Sequence, residues 1–112
     1  MTYKDWNDKH VTGKTKKEYE NIIGTTTNNG IKISGISEHV VDRAMERGVS
    51  AENAKNALIN PLKIGKIKKG EKGNSQEYIG EFARTVVNPD TGNIVTVWKT
   101  KTSLKNKLKG VK

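Results

Sequence analysis

Apolar residues recur at helical spacing through the first half of the chain, with polar residues between them. Val40 and Ala44 lie four residues apart, as do Val41 and Met45. This spacing predicts a helix over about 38–47 with one apolar stripe. Ser37 is the expected N-cap of this helix, and Gly48 is its expected C-terminal stop.

Two further helices are predicted from the same spacing and from their end signals. A short helix over 15–23 is expected to end before Gly24. The other helix is expected over 51–59, with Ser50 as its N-cap. Asn60-Pro61 ends it, because the residue before a proline avoids the helical region.

Alternating and β-branched residues follow Pro61 and predict strands. The strand-like segments are 62–66, 76–80, 82–88 and 93–101. The segment 69–74 is charged and glycine-rich and predicts a turn, and Asn88–Gly92 predicts the turn of a hairpin. Helices followed by strands indicate an α+β fold, with N-terminal helices packed on a roughly four-stranded antiparallel sheet.

The length of 112 residues indicates one domain over 1–112. Its expected parts are an N-terminal helical and loop segment (1–36), helices (37–60), an antiparallel sheet (61–102) and a frayed basic tail (103–112). No apolar run approaches the roughly 20 residues of a membrane span, and no signal peptide is recognised. We therefore expect either a cytoplasmic protein or a fragment of a longer exported chain.

The charge balance favours a polyanionic partner. Lys and Arg number 21 against 12 Asp and Glu, which gives a net charge of +9, and the sequence pI is about 9.8. Such a domain carries the electrostatic footprint of a nucleic-acid binder. A soluble domain that is merely basic is the alternative. Because the chain has no cysteine, disulfides and thiol chemistry are excluded.

One spacing on the predicted second helix suits phosphate chemistry. His39, Arg43 and Arg47 stand at i, i+4 and i+8, so they share a face that drifts by about 40° per step. Imidazole can transfer a proton near neutral pH, and guanidinium matches phosphate oxygens. A solvated polar face, with Glu38, Asp42 and Glu46 as helix partners, remains equally open.

The last predicted strand adds a second set of candidate residues. Thr96, Trp98 and Thr100 share one face, which could bind a phosphate and stack a base. An ordinary half-buried sheet face is the alternative that this pattern alone favours. The same two interpretations apply to Gln76, Tyr78 and Arg84 on the neighbouring strands.

The two histidines, His10 and His39, are enough for RNA cleavage without a metal. One would take the proton of the ribose 2′-hydroxyl, and the other would protonate the leaving 5′ oxygen. No Cys/His metal cluster, HExxH, Walker loop or G-x-S-x-G motif is present. We therefore expect no metal and no cofactor.

Three segments together resemble a known family, the polymorphic toxin type 50 domain. They are DKHVTG at 8–13, GISEHVVDRAMERGVSAENAKNALINPLKIGKI at 35–67 and SQEYIGEFARTVVNPDTGNIVTVWKT at 75–100. The resemblance covers residues 8–105. That domain occurs at the C-terminus of bacterial toxins and of some phage minor head proteins, and it is assigned to the ribonuclease superfamily of barnase, EndoU, colicin D and RelE-like toxins (BECR).

The resemblance implies a BECR-like fold and a metal-independent endoribonuclease that leaves 2′,3′-cyclic phosphate ends. Its motif residues correspond to His39, Arg43 and Arg47, to the segment 9–13 with His10, and to 96–100. The expected catalytic set is His39, His10, Arg43, Arg47 and Thr96. The expected substrate-binding set is Lys66, Gln76, Tyr78, Arg84, Trp98 and Thr100.

The same resemblance implies partners and a setting. We expect a transfer or ribosomal RNA substrate, and an acidic cognate immunity protein that covers the +9 surface. The domain would be delivered as the C-terminal part of a larger protein and would act in the cytoplasm of a target cell during bacterial competition. The alternative is a non-enzymatic nucleic-acid-binding module of a phage minor head protein.

Overall fold

The structure, a computed structural model, describes residues 14–37, 39–71 and 73–110. Within these residues the chain forms four helices and a mixed six-stranded sheet, so the predicted α+β class is confirmed. The helices are α1 (residues 14–20), α2 (Val40–Arg47), α3 (Ala51–Ile59) and α4 (Thr102–Lys109). No helix in this described part is long and apolar enough to cross a membrane.

The sheet differs from the prediction in both strand number and direction. Its strands are β1 (Gly35–Ile36), β2 (Lys63–Ile64), β3 (Lys68–Gly70), β4 (Gly73–Ile79), β5 (Ala83–Val87) and β6 (Asn93–Lys99). The order is β1-β6-β5-β4-β2, and β3 also pairs with β4. Because β1 runs parallel to β6, the sheet is mixed, and the prediction of an antiparallel sheet is wrong.

The two strands absent from the prediction are short ones whose pairing is set by the tertiary fold. β1 has two residues, too few for any alternation of apolar and polar positions to appear. β3 overlaps the segment 69–74 predicted as a turn, and with two lysines and a glycine, all exposed, it has no apolar pattern that indicates a strand. It pairs with the start of β4 along the sheet edge, and Gly70 opposes Gly73 at the end of that hairpin.

The helix ends follow local capping chemistry. α3 has the predicted bounds, and the Ser50 hydroxyl accepts the Asn53 backbone N–H at 3.1 Å. α2 begins later than predicted, at Val40, with His39 rather than Ser37 at the N-cap. It ends at Gly48, whose φ of 67° is the left-handed conformation that glycine adopts without strain.

The terminal segments also depart from the prediction. α1 covers residues 14–20 rather than 15–23, and turns occupy the residues up to Gly24. The tail predicted to fray forms α4 instead. It is a helix without buried residues, and the Lys109 ammonium lies 2.7 Å from the Glu81 carboxylate in the turn between β4 and β5.

The core lies between α1–α3 and one face of the sheet. Tyr78, Thr85 and Val97 oppose one another across β4, β5 and β6, and all three are fully buried. The Thr85 hydroxyl donates to the Ala54 carbonyl of α3 at 2.9 Å, which fixes this helix against β5. The opposite face of the sheet is thereby left to the residues that alternate with these three.

A β-bulge in β6 sets which residues reach that opposite face. Val86 pairs with Thr96 and Val87 with Ile94, so Val95 is the extra residue of β6. Ile94 and Val97 are therefore both buried although they are three residues apart, and Val95 is exposed. Strict alternation would place Val95 on the buried face with Val97, and the bulge is the reason that it does not lie there.

Candidate nucleic-acid interface

The sheet face opposite the core carries a compact group of polar and aromatic side chains. Two cross-strand rows build it, Ile79–Arg84–Trp98 and Glu77–Val86–Thr96. Trp98 is 39% exposed, and the side chains of Arg84 and Glu77 are 23% and 30% exposed. The face is therefore partly desolvated but still reached by solvent, as a binding surface must be.

Arg47 reaches this face from the end of α2. β1 pairs with β6 only at Asn93 and Ile94, and α2 packs against β6. Nη1 of Arg47 donates to the Thr96 hydroxyl at 2.9 Å and to the Val97 carbonyl at 3.0 Å. These bonds orient the guanidinium before any ligand is bound.

Trp98 and Arg84 complete the arrangement, which we call the Arg47–Trp98–Arg84 cluster. Cζ of Arg47 lies 3.2 Å from the centroid of the Trp98 ring, and Cζ of Arg84 lies 5.9 Å from the same centroid. The Arg47 guanidinium therefore covers part of the ring face that the sequence assigned to base stacking. Contacts of this kind hold an arginine over an aromatic ring without neutralising its charge.

Arg84 has a charge partner in the cluster but is not fully hydrogen-bonded. Nη1 of Arg84 faces the Glu77 carboxylate at 3.6 Å, and its buried Nε has no hydrogen-bond partner among the described residues. The cluster thus holds two guanidiniums and one carboxylate, which faces Arg84. A buried donor without a partner is costly, by about 1–3 kcal/mol.

The predicted row of His39, Arg43 and Arg47 is present but only its last member touches the sheet. Each four-residue step turns by about 40°, so the row swings from the sheet edge into solvent. Arg43 is exposed and pairs with Glu46 at 3.3 Å, as the solvated-face alternative expected. His39 is exposed at the N-cap, about 12 Å along the helix axis from Arg47.

Two predicted substrate-binding residues lie on the opposite face of β4. Tyr78 is fully buried, and its hydroxyl donates to the Asn29 side-chain oxygen at 2.5 Å. Gln76 donates to the Gly65 carbonyl at 3.0 Å and accepts from the Asn29 amide at 3.2 Å. Both residues fasten the loop before β1 to the sheet, and Tyr78 has no exposed ring face for a base.

Other predicted residues lie away from the cluster or outside the described residues. Lys66 is exposed between β2 and β3, on the far edge of the sheet from β6. Thr100 follows β6, and its hydroxyl donates to the Gly80 carbonyl at 2.8 Å. His10 falls outside the described residues. Within the described residues there is no group of three or more His, Cys, Asp or Glu that could hold a metal ion.

The structure brings one unpredicted residue to the site, Glu77. Sequence reasoning selected its neighbours Gln76 and Tyr78, which alternate with it and point to the other side of β4. The signal that could have found it is the opposed pair of charges on consecutive predicted strands, Glu77 and Arg84. Recognising that pair requires the register of the hairpin, which the sequence does not specify.

Comparison of the chain with protein-family models, with curated proteins and with solved structures finds no match. Function is therefore inferred from the chemistry of the Arg47–Trp98–Arg84 cluster and from the sequence motifs.

Proposed function

We propose that this chain is a metal-independent endoribonuclease with its substrate site at the Arg47–Trp98–Arg84 cluster. The observation that carries the proposal is the pair of partly desolvated guanidiniums held at one ring, one of them with an unpartnered buried Nε. Guanidinium forks match phosphate oxygens, and their attraction to phosphate strengthens where water is partly excluded.

The reaction would use the RNA itself as the nucleophile. A base removes the proton from the ribose 2′-hydroxyl, and the 2′ oxygen attacks the adjacent phosphorus. The bond from phosphorus to the 5′ oxygen then breaks, and an acid protonates that oxygen. The products are a 2′,3′-cyclic phosphate and a 5′-hydroxyl. Arg47 and Arg84 would stabilise the charge that develops on the phosphoryl oxygens, and Thr96 would keep Arg47 in place.

Two kinds of group are available for the proton transfers. Glu77 is the carboxylate beside Arg84, and we assign it the acceptor role because it lies on the phosphate-binding face. His39 is exposed and makes no side-chain capping bond, so its imidazole can meet an RNA strand that runs along α2 from Arg47. The donor of the proton to the leaving 5′ oxygen is one of the two histidines, His39 or, from the sequence motif, His10.

The sequence resemblance supplies the proposed biological setting. A toxin domain of this kind would be delivered as the C-terminal part of a larger protein and would cut transfer or ribosomal RNA in the target cell. A net charge of +9 suits an acidic immunity protein, since complementary charge increases the rate of association.

The deciding experiment is incubation with total bacterial RNA in the presence of EDTA, followed by a denaturing gel. We compare the intact chain with His39→Ala and with Asp42→Ala, a matched control at an exposed position on the same helix. Discrete fragments ending in cyclic phosphate, lost in His39→Ala and kept in Asp42→Ala, would support the proposal. RNA that stays intact while it binds in a salt-dependent manner would favour the binding-module alternative instead.

A further inference from the structure

A cleft separate from the cluster opens where the end of β6, the turn between β4 and β5 and the start of α4 meet. Its volume is about 360 Å³, and Gly48, Phe82 and Lys99 are among the residues that line it. Small-molecule pockets fall in the range of about 300–1,000 Å³, so the cleft has room for one nucleotide.

The side chains that line the cleft provide each kind of contact that a nucleotide makes. Phe82 is 53% exposed, and a ring this exposed offers a surface for a base. Lys99 and Lys105 bring two ammonium groups, and the Nζ of Lys105 lies 5.4 Å from the centroid of the Phe82 ring. Asn53 adds an amide, which can hydrogen-bond to a base edge.

The Glu81 carboxylate at the cleft does not prevent an anion from binding there, because a lysine pairs with it. Glu81 lines the cleft, but its Oε1 accepts a 2.7 Å hydrogen bond from the Lys109 ammonium. This ion pair offsets the charge of Glu81, so Lys99 and Lys105 leave the cleft positive. A positive cleft with an exposed ring fits a nucleotide better than an acidic peptide, which would not need the ring.

The cleft also adjoins the Arg47–Trp98–Arg84 cluster through the chain itself. Gly48 directly follows Arg47, and Lys99 directly follows Trp98. A Cβ atom added to Gly48 would lie 3.3 Å from the Lys99 Nζ, so the Lys99 ammonium lies close to the C-terminal end of α2. Because Trp98 and Lys99 are consecutive in β6, their side chains point to opposite faces of the sheet, so an RNA strand that joins the cluster to the cleft passes around the edge of β6 at Arg47.

We propose that this cleft binds a nucleotide of the RNA strand whose phosphate occupies the Arg47–Trp98–Arg84 cluster. The base lies against Phe82, the phosphate contacts Lys99 and Lys105, and Asn53 contacts the base edge. The inference rests on the proposed function for the identity of the strand. It adds that recognition extends at least one nucleotide beyond the cleaved bond.

The test begins with binding, so that it does not depend on cleavage. The ¹⁵N-labelled chain is titrated with adenosine 5′-monophosphate, with adenosine and with inorganic phosphate, and amide shifts are followed. We expect the monophosphate to shift the signals of Gly48, Asn53 and Phe82 more than either fragment does. The variants are Lys105→Gln and Phe82→Leu, and Lys107→Gln is the matched control because Lys107 is an exposed lysine of the same helix that does not line the cleft.

Loss of these shifts in Lys105→Gln and Phe82→Leu, with retention in Lys107→Gln, supports the cleft. Monophosphate shifts confined to Thr96 and Trp98, or equal affinity in Lys105→Gln and Lys107→Gln, would overturn it. A cleavage assay separates the two proposals. If RNA stays intact but the cleft binds the monophosphate as expected, the ribonuclease proposal fails and the nucleotide site stands.

Discussion

At the scale of single residues, Arg47 shows how one side chain can be built into the fold and still serve a ligand. Its Nη1 donates to Thr96 and Val97, and its Cζ lies 3.2 Å from the centroid of the Trp98 ring, so a lysine cannot make the same set of contacts. We expect Arg47→Lys to lower the free energy of unfolding by about 1–2 kcal/mol, because these part-buried bonds are lost. RNA affinity should fall by at least about tenfold, since one hydrogen bond to a charged group is worth about 1.5–3 kcal/mol.

Denaturant unfolding and filter binding measure these two effects. The matched control is Arg43→Lys, because Arg43 is exposed and pairs only with Glu46 among the contacts described. A surface change of this kind should stay within about 0.5 kcal/mol. If Arg47→Lys and Arg43→Lys had equal effects, the planar guanidinium of Arg47 would have no role that a lysine cannot fill.

Glu77 provides the sharpest separation of binding from catalysis. In Glu77→Gln the proton acceptor is removed, so we expect cleavage to fall by at least about 100-fold. RNA binding should stay equal or become tighter, because Arg84 loses its carboxylate partner and the face becomes more positive. Glu71→Gln, at an exposed turn, is the control for the change in net charge. Cleavage at the wild-type rate in Glu77→Gln would remove this residue from the mechanism.

These residues also mark where sequence reasoning stops. The spacing of His39, Arg43 and Arg47 predicted a shared face, and the helix confirms that spacing. It could not show that Arg47 is the member of this row that bonds to β6, because this depends on how α2 packs against β6. In the same way, the sequence groups Tyr78 and Arg84 as candidates on neighbouring strands, whereas the register places them on opposite faces of the sheet.

At the scale of elements, Tyr19 fastens α1 to the segment between α2 and α3. Its hydroxyl donates to the Val49 carbonyl at 2.9 Å, and the side chain is fully buried. Burial raises the pKa of this hydroxyl above its ordinary value, and the nearby Glu18 carboxylate raises it further. The folded chain therefore keeps this proton at pH values where the unfolded chain releases it.

The sign of the pH dependence follows from that difference. Above about pH 10 the unfolded state binds fewer protons at Tyr19, so stability falls as the pH rises further. We expect Tyr19→Phe to be less stable near neutral pH, by about 1 kcal/mol, because the hydrogen bond is lost. It should also lose stability less steeply above pH 10. Unfolding curves recorded from pH 8 upward measure both effects. If the free energy of unfolding fell equally with pH in the intact chain and in Tyr19→Phe, Tyr19 would not be the cause of the pH dependence.

The docking of α4 has the opposite pH dependence. The hydrogen bond from Lys109 lowers the pKa of Glu81, and the charges of Lys109 and Lys105 act in the same direction. Docking that depends on this carboxylate is present above its ordinary pKa of about 4.3, and it is lost as the pH falls through the lowered value.

NMR chemical shifts of the α4 backbone between pH 2 and pH 6 follow this loss. We expect a transition in the intact chain and in Lys107→Gln, and none in Lys109→Gln, where the ion pair is absent at every pH. An unchanged transition in Lys109→Gln would mean that another group controls the docking of α4.

The helices and strands also differ in whether their own sequence is enough to predict them. α3 could be predicted to the residue because Ser50 and Pro61 end it through their own chemistry. α4 was predicted to fray because its lysines indicate only charge, whereas its position depends on Glu81 in a distant turn. β1 has no signal of its own, since its two residues become a strand only by pairing with β6.

At the scale of the whole molecule, the net charge of +9 and the chemistry of cleavage make separate predictions for RNA and DNA. Phosphate contacts do not distinguish the two polymers, so single-stranded DNA and RNA of one sequence should bind with similar salt dependence. The slope of log affinity against log salt should be about −0.7 for each phosphate contact. Arg47→Lys preserves charge and should keep the slope, whereas Lys105→Gln should reduce its magnitude by about 0.7.

Cleavage, in contrast, requires the ribose 2′-hydroxyl as the nucleophile. We therefore expect the bound DNA strand to remain intact under conditions in which the RNA strand is cut. A chimeric strand that is DNA except for one ribonucleotide should be cut only on the 3′ side of that nucleotide, because only there can a cyclic phosphate form. Cleavage of the all-DNA strand would exclude the transesterification that the cluster is proposed to support. Strong binding with no cut in the chimera would leave the cluster as a phosphate-binding surface.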